Sequence, residues 1–439
     1  MRLLYTLLYY LLVPAILLRL WLRGRRAPDY RQRWGERLGY CPPVPGGCLW
    51  VHAVSLGETR AALPLVRALR ERYPQRPLLI TTMTPTGSQQ VRAALGDSVH
   101  HCYLPYDLPG AVMRFLYRTR PQIGVVMETE LWPNLFHACA SAGIPLVLAN
   151  ARLSERSARG YARIGPLTRR TLDCLTLIAA QSEADAARFR RFGVSDARLR
   201  VTGNLKYDLN LPSGLERQGR ELRRELFGMR PVWIAASTHA GEDEQVLAAF
   251  AGLRTEFPDL VLLLVPRHPE RFTDVATLCR EQGWRVVRRS AQRPCEPRDD
   301  VFLGDSMGEL LLFYAAADVA FVGGSLVPTG GHNVIEPALL GVPVVFGPHM
   351  FNFTEAGQYL LRAGAAWQVD AAPALSRTTG RLLRDAILRR EAGSRARRAV
   401  AANSGALARL FECVETLLEP AASGNPPPQL PTGPVKRPS

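Results

Sequence analysis

The chain has 439 residues, 47% of them hydrophobic and 21% charged, with a formal net charge of +16. That is enough for two domains, each with a buried core, and too apolar for a disordered chain. Eight scattered cysteines without a C-x-x-C pair argue against a disulfide framework or a metal cluster and read as reduced core thiols.

The basic excess is concentrated at the front. Residues 1–72 hold twelve arginines and four acids, which calls for an anionic partner, either nucleic acid or a membrane surface. The stretch LLYTLLYYLLVPAILLRLWL, residues 3–22, decides between them, because it carries one charge, Arg19. As a helix, twenty residues span about 30 Å, the thickness of a bilayer's hydrocarbon core, and Arg19 lies near its end, where it can snorkel. Arg23, Arg25, Arg26, Arg31 and Arg33 follow, which places the remainder on the cytoplasmic side by the positive-inside rule. These charges come after the apolar run, and no small-residue cleavage site does, so residues 1–22 read as a membrane anchor, spanning or half-inserted, and not as a signal peptide. The alternative is a buried N-terminal helix.

Short apolar runs at 48–52, 78–82, 123–127, 146–149 and 177–180 read as buried parallel strands, with helical patterns between them, as at 59–72 and 131–142. This is the βαβα succession of a doubly wound sheet. It breaks over the polar stretch 207–231 and restarts with strands at 232–236, 260–265, 319–324 and 343–347. The fold class is therefore α/β, with two Rossmann-like doubly wound domains joined near residue 210. The expected domains are an anchor over 1–22, an acceptor domain over 23–209, a nucleotide-binding domain over 210–419, and a disordered tail over 420–439, where seven of twenty residues are proline.

Ligands of such sheets sit at the carboxyl ends of the strands, and the unusual clusters fall there. VSLGETR follows the first strand and ends near Glu58, an anion where a phosphate usually sits. The helix dipole favours its ionised form. Such a carboxylate suits a general base that takes a proton from a hydroxyl; a helix-stabilising first-turn acid is the equal alternative. TTMTPTGSQQ (81–90) offers hydroxyls for a phosphate or for a helix cap. In METELWPN, Glu128 and Glu130 are two apart and cannot share a helical face, so one should face the cleft and the other pair locally. Lys206 in TGNLKYD is one of two lysines among 55 basic residues, which suggests that a compact point charge is wanted there; a surface lysine is the alternative.

In the second half, Arg267 of VPRHPERF can reach a phosphate as a forked donor, or merely stand in a surface turn. GDSMGELLLFYAAADV (304–319) opens a helix whose first turn can meet a base through backbone groups, or is an ordinary buried helix. In GGSLVPTGGHNVIEP, Gly330 and Gly331 let backbone N–H groups approach a phosphate. Glu336, one turn from Asn333, can accept hydrogen bonds from a ribose diol. Together these read as a sugar-nucleotide site; a tight turn capped by His332 or Asn333 is the alternative. The chain has no D-x-D and no His/acid cluster at metal spacing, so no metal is expected, and positive side chains must stabilise a departing phosphate.

VSLGET, TTMTPTGS, LPYDLP, METELWPN, GNLKYD, PRHPERF, MGEL and GGSLVPTGGHNVIEP, with MRLLYTLLYYLL and YRQRWGERLGY at the front, resemble in order and wording the bacterial 3-deoxy-D-manno-octulosonic acid (Kdo) transferases over residues 1–415. The resemblance implies a GT-B fold with its active site between two Rossmann-like domains. It implies transfer of Kdo from CMP-Kdo to lipid IVA, the lipid A precursor, during lipopolysaccharide synthesis on the cytoplasmic side of the inner membrane. By position it implies Glu58 as catalytic base and Glu128 and Lys206 as transition-state stabilisers. CMP contacts would come from Pro266, Arg267, Met307, Gly308, Glu309, Asn333, Val334, Ile335 and Glu336. The partners implied are CMP-Kdo, lipid IVA and the inner-membrane surface, with no cofactor and no metal. A UDP-sugar transferase is the rival enzyme. Nucleic acid is not expected, because the arginines lack interleaved aromatic stacking positions.

Overall fold

The computed structural model describes residues 1–25, 27–209 and 211–419; the proline-rich tail expected over 420–439 lies outside them. The chain forms two compact units, residues 1–208 with the described residues from 404 on, and residues 209–403.

The first unit is built on seven strands: β1 (Cys48–His52), β2 (Leu78–Thr82), β3 (His100–Tyr103), β4 (Pro121–Met127), β5 (Leu146–Ala151), β6 (Leu177–Ala180) and β7 (Leu199–Val201). They pair in parallel in the order β3-β2-β1-β4-β5-β6-β7. The second repeats the plan with β8 (Val232–Thr238), β9 (Val261–Pro266), β10 (Val286–Arg288), β11 (Val301–Leu303), β12 (Val319–Val322), β13 (Val344–Phe346) and β14 (Ala366–Gln368). Their order is β10-β11-β9-β8-β12-β13-β14, again all parallel. The two doubly wound sheets expected from the sequence are thus present. Each expected strand lies within two residues of an observed one, but β3, β7, β10, β11 and β14 were not expected. Four of these are sheet edges. An edge strand is covered on fewer sides, so HHCY, LRV or VVR need not read as an apolar run.

Strand β1 shows why the central strands are apolar throughout. Trp50 faces one side and meets Phe115 edge-on at 5.3 Å between ring centroids; Leu49 and Val51 face the other side with Leu65, Val66 and Leu69. Burying each such side chain is worth roughly 1.5–3 kcal/mol. Gly124 on the neighbouring β4 makes room for Trp50, since a Cβ there would stand 2.7 Å from the indole.

The last described helix, Ala406–Leu418, belongs to the first unit and corrects the expected boundary at 419. Its Ala406, Leu410, Val414 and Leu418 enter the core of the first unit beside Leu65 and Leu205. The Asp208 carboxylate accepts the N–H groups of Gly405 and Leu407 at its start, and Arg409 Nε donates to the Thr202 carbonyl at 2.8 Å. The apolar stripe at i, i+4 needs a complementary face, and that face belongs to the first unit.

The N-terminal helix spans Arg2–Arg23 and is long and apolar enough to cross a membrane. It is not a buried helix. One flank packs Tyr9, Val13, Ile16 and Leu17 against Tyr106, Leu108 and Ala111, and Thr6 Oγ1 donates to Asn134 Oδ1 at 3.1 Å. Leu3, Leu4, Leu7, Leu8 and Leu11 remain exposed.

Candidate active site

In the first unit, helix Leu56–Arg72 starts four residues after β1, with Ser55 as its cap. Ser55-x-x-Glu58 is a capping-box spacing. Glu58 Oε2 accepts the Val54 N–H at 2.7 Å and Oε1 accepts the Ser55 hydroxyl at 2.9 Å. Glu58 therefore stabilises the helix start, yet stays half-buried at a strand end. Burial pushes the Glu58 pKa up, against the local hydrogen bonds from Val54 and Ser55, and the Glu128 carboxylate raises it further.

Glu128 closes β4 in the left-handed region, with φ 56°. Its N–H is held by the Ala149 carbonyl at 2.8 Å. Such a conformation costs about 1–3 kcal/mol in a non-glycine residue and persists only where its surroundings enforce it. Glu130 is pushed up to about 7 by burial, then by Glu58 and Glu128. The local pairing expected for one of the two acids is absent: among the described residues neither carboxylate makes an ion pair or a side-chain hydrogen bond. Instead Glu58, Glu128 and Glu130 gather at the ends of β1 and β4 and repel one another.

Lys206 sits in a single 3-10 turn, Leu205–Tyr207. Asn204 Oδ1 accepts the Lys206 N–H at 3.0 Å, and Asn150 Oδ1 accepts the Leu205 N–H at 3.1 Å. Gln181 links the two, accepting from Asn204 Nδ2 at 3.0 Å and donating to the Asn150 carbonyl at 2.9 Å. These three amides escape sequence reasoning; the faint signal is that Asn150 lies near the end of an apolar strand and Gln181 directly follows one. The 81–90 stretch resolves toward its capping alternative, since Thr84 Oγ1 accepts the Gly87 N–H at 3.2 Å. Thr81 is occupied by Trp50 Nε1 at 2.8 Å and His52 Nδ1 at 2.9 Å.

In the second unit, Pro266 ends β9 and the Arg267 N–H is fixed by the Thr238 carbonyl at 3.0 Å. Among the described residues the Arg267 guanidinium has no ion-pair or hydrogen-bond partner. The helix that the 304–319 stretch opens runs over Leu310–Ala315, so Met307, Gly308 and Glu309 form the turn before it and not its first turn. Met307 is 64% exposed. Gly308 has φ 87°. Glu309 is gripped by Arg289, 2.8 Å from Nη2, and its carboxyl is held below the usual range chiefly by that bond.

The glycine-rich stretch after β12 departs from the phosphate-cradle expectation. Glu242, fully buried, accepts the N–H groups of His239 (3.0 Å), Gly324 (2.6 Å), Ser325 (2.9 Å) and Leu326 (2.8 Å). The Gly331 N–H is taken by the Gly324 carbonyl at 2.6 Å. Gly330 and Gly331 have φ of +104° and +72°, and a Cβ on either would stand 2.3 Å from Asn352 or Met350. Their glycine character thus serves a tight turn under the loop that follows β13. Asn333 caps the next turn, accepting the Ile335 N–H and donating to Glu336 Oε1, both at 3.0 Å. Val334 and Ile335 are buried. The three expected nucleotide-contacting segments therefore all lie after strand ends of one sheet, following β9, β11 and β12.

Two parallel doubly wound sheets with acids at the strand ends of one and arginine at those of the other define a GT-B protein. Solved structures share this fold: UDP-GlcNAc 2-epimerase from Neisseria meningitidis, 14% identical, over 84% of this chain and 100% of that one, TM-score 0.56, and a glycosyltransferase from Rickettsia africae, 13% identical, over 86% and 100%, TM-score 0.53. The family model described as 3-deoxy-D-manno-octulosonic-acid transferase (kdotransferase) matches residues 32–209. The 3-deoxy-D-manno-octulosonic acid transferase of Haemophilus influenzae is 44% identical over 95% of this chain and 99% of its own; that of Bordetella pertussis is 42% identical over 94% and 99%. The chain belongs to the Kdo transferase family.

Proposed function

We propose that this Kdo transferase takes its sugar from CMP-Kdo and delivers it to lipid IVA in lipopolysaccharide synthesis, by an inverting single displacement with Glu58 as general base. The observation that carries this reading is a half-buried carboxylate at the end of β1 whose pKa is raised, and which two local hydrogen bonds hold in one orientation. A base is most effective when its pKa approaches the working pH.

Glu58 removes the proton of a primary hydroxyl of the lipid disaccharide. The oxygen attacks the anomeric carbon on the face opposite CMP, the bond to the phosphate oxygen breaks, and CMP leaves. Lys206 and Arg267 stabilise the charge that grows on the departing phosphate, and Glu128 either balances the electron-poor sugar or orients Lys206. Pro266, Arg267, residues 307–309 and residues 333–336 hold the CMP moiety, the capped turns presenting backbone groups to it. The reaction in this reading uses no metal and no cofactor.

The exposed leucines of the N-terminal helix, beside the arginines that follow it, suit attachment to the cytoplasmic face of the inner membrane, where each basic residue near an anionic surface adds about 1 kcal/mol. A helix docked along one flank lies more naturally in one leaflet than across both.

The test is incubation with CMP-Kdo and lipid IVA, reading product mass, with a UDP-sugar as control donor. Glu58→Gln should lose about 10²–10⁴ in turnover while still binding CMP. Undiminished turnover in that variant removes Glu58 from the chemistry, and product formed only from the UDP-sugar replaces the donor.

A further inference from the structure

Beside Arg267, the second unit gathers three histidines to which the reaction above gives no task. His239 follows β8, His268 follows Arg267, and His332 follows the Gly330–Gly331 turn. The His239 and His332 rings are within 6° of parallel, and their Nε2 atoms lie 2.8 Å apart. His268 stands edge-on to His239 at 5.3 Å. Two ring nitrogens at hydrogen-bond distance require a proton on one and a lone pair on the other.

The arrangement is built. Glu242 holds the His239 N–H together with the start of the glycine-rich loop that ends in His332. The charges around the pair are mostly committed. Arg271 pairs with Asp243. Glu242 acts on His239 through its charge, and its oxygens face four backbone donors. Glu270 stands 3.8 Å from His268 at the exposed rim. Arg267 alone has no counter-charge among the described residues. Burial first, then Arg267 and the neighbouring imidazoles, hold His332 down to about 4; burial also lowers His239, against Glu242.

We propose that His239 and His332, with Arg267, form a proton-linked oxyanion site that binds the phosphate of the donor nucleotide. The inference rests on the nucleotide reading of the second unit and adds to it the residues and the proton. With no anion present the pair is neutral at pH 7. A phosphate brought against it favours the charged imidazole, so the complex takes up a proton: one ring nitrogen gains N–H, and an imidazolium and a guanidinium face the anion. The pair's pKa is higher in the complex than in the free protein. Its contribution to binding is therefore greatest at low pH and fades as pH rises through the pKa of the complex.

Calorimetric titration of the full chain in detergent, in buffers of differing ionisation heat at pH 7, tests this with CMP, cytidine and free Kdo as probes. Wild type should take up more protons with CMP than either histidine variant does, and none with cytidine. His239→Gln and His332→Gln should lose the uptake and bind CMP about tenfold more weakly at pH 6, one pKa unit's worth, with a smaller gap at pH 8. The phosphate's own ionisation near pH 6 is common to all three proteins and cancels in the difference. Equal uptake in wild type and both variants, or uptake with the free sugar acid in place of CMP, overturns the proposal. If wild type fails to bind CMP at all, the nucleotide reading itself falls, and this inference with it.

Discussion

Ser55 donates its hydroxyl to Glu58 Oε1 at 2.9 Å and accepts the Glu58 N–H at 3.5 Å, so one side chain serves both the start of a helix and the orientation of the proposed base. Ser55→Ala separates the two tasks. Loss of the cap should cost about 0.5–2 kcal/mol of stability, read as a lowered Tm. Loss of a hydrogen bond to the charged carboxylate should raise the Glu58 pKa, moving the acidic limb of the kcat/KM profile to higher pH. A limb that stays in place would mean that it reports some other group.

Glu130 makes stability depend on pH. Its carboxyl titrates near 4.5 in an unfolded chain and about 7 here, raised by burial, Glu58 and Glu128. The folded state thus holds the proton more tightly, and this group favours folding fully below 4.5. That contribution fades as pH rises through 4.5 to 7 and stays lost above. Glu130→Gln should leave the protein more stable than wild type at pH 8, by at most about 3.5 kcal/mol at roughly 1.4 kcal/mol per unit, with little gain at pH 4.5. Thermal unfolding at the two pH values measures it; equal gains at both would show that Glu130 does not titrate in this window.

Asn204 sets the Lys206 turn through one hydrogen bond and Gln181 through another. Asn204→Ala should cost about 1 kcal/mol of stability and lower kcat about tenfold, the effect of about 1.4 kcal/mol on the barrier. CMP affinity should change little, because the amide serves the first unit. A fall in CMP affinity with kcat intact would argue against Lys206 acting on the barrier.

Deletion of residues 2–23 removes the exposed leucines and uncovers Tyr106, Leu108 and Ala111. Sedimentation with anionic vesicles should fall sharply while calorimetric CMP binding persists. Equal loss of both would show that the helix is needed to fold the units.

The buried strands were legible because parallel strands covered on both faces must be apolar throughout, as in CLWVH and LLITT. The edge strands were not, since HHCY and LRV look like loops until the sheet edge is known. The same limit applies at the site. Glu58 stands out in sequence because an acid follows a strand where a phosphate loop is usual, but Asn150, Gln181 and Glu242 do not, because their partners are backbone groups of distant segments. Glycines 330 and 331 invite a phosphate-loop reading, and only the approach of Met350 and Asn352 shows what the missing side chains make room for.

Taken alone, the order of apolar runs and turn residues determined two doubly wound sheets, an apolar N-terminal helix and the strand ends at which chemistry is to be sought. These follow from local periodicity, which is written in consecutive residues. Tertiary structure alone decided that the last described helix returns to the first unit, that three acids crowd at the ends of β1 and β4, and that two histidines 93 positions apart meet nitrogen to nitrogen. Burial, pKa and pairing depend on what lies opposite in space, and no stretch of sequence carries its neighbours across the fold.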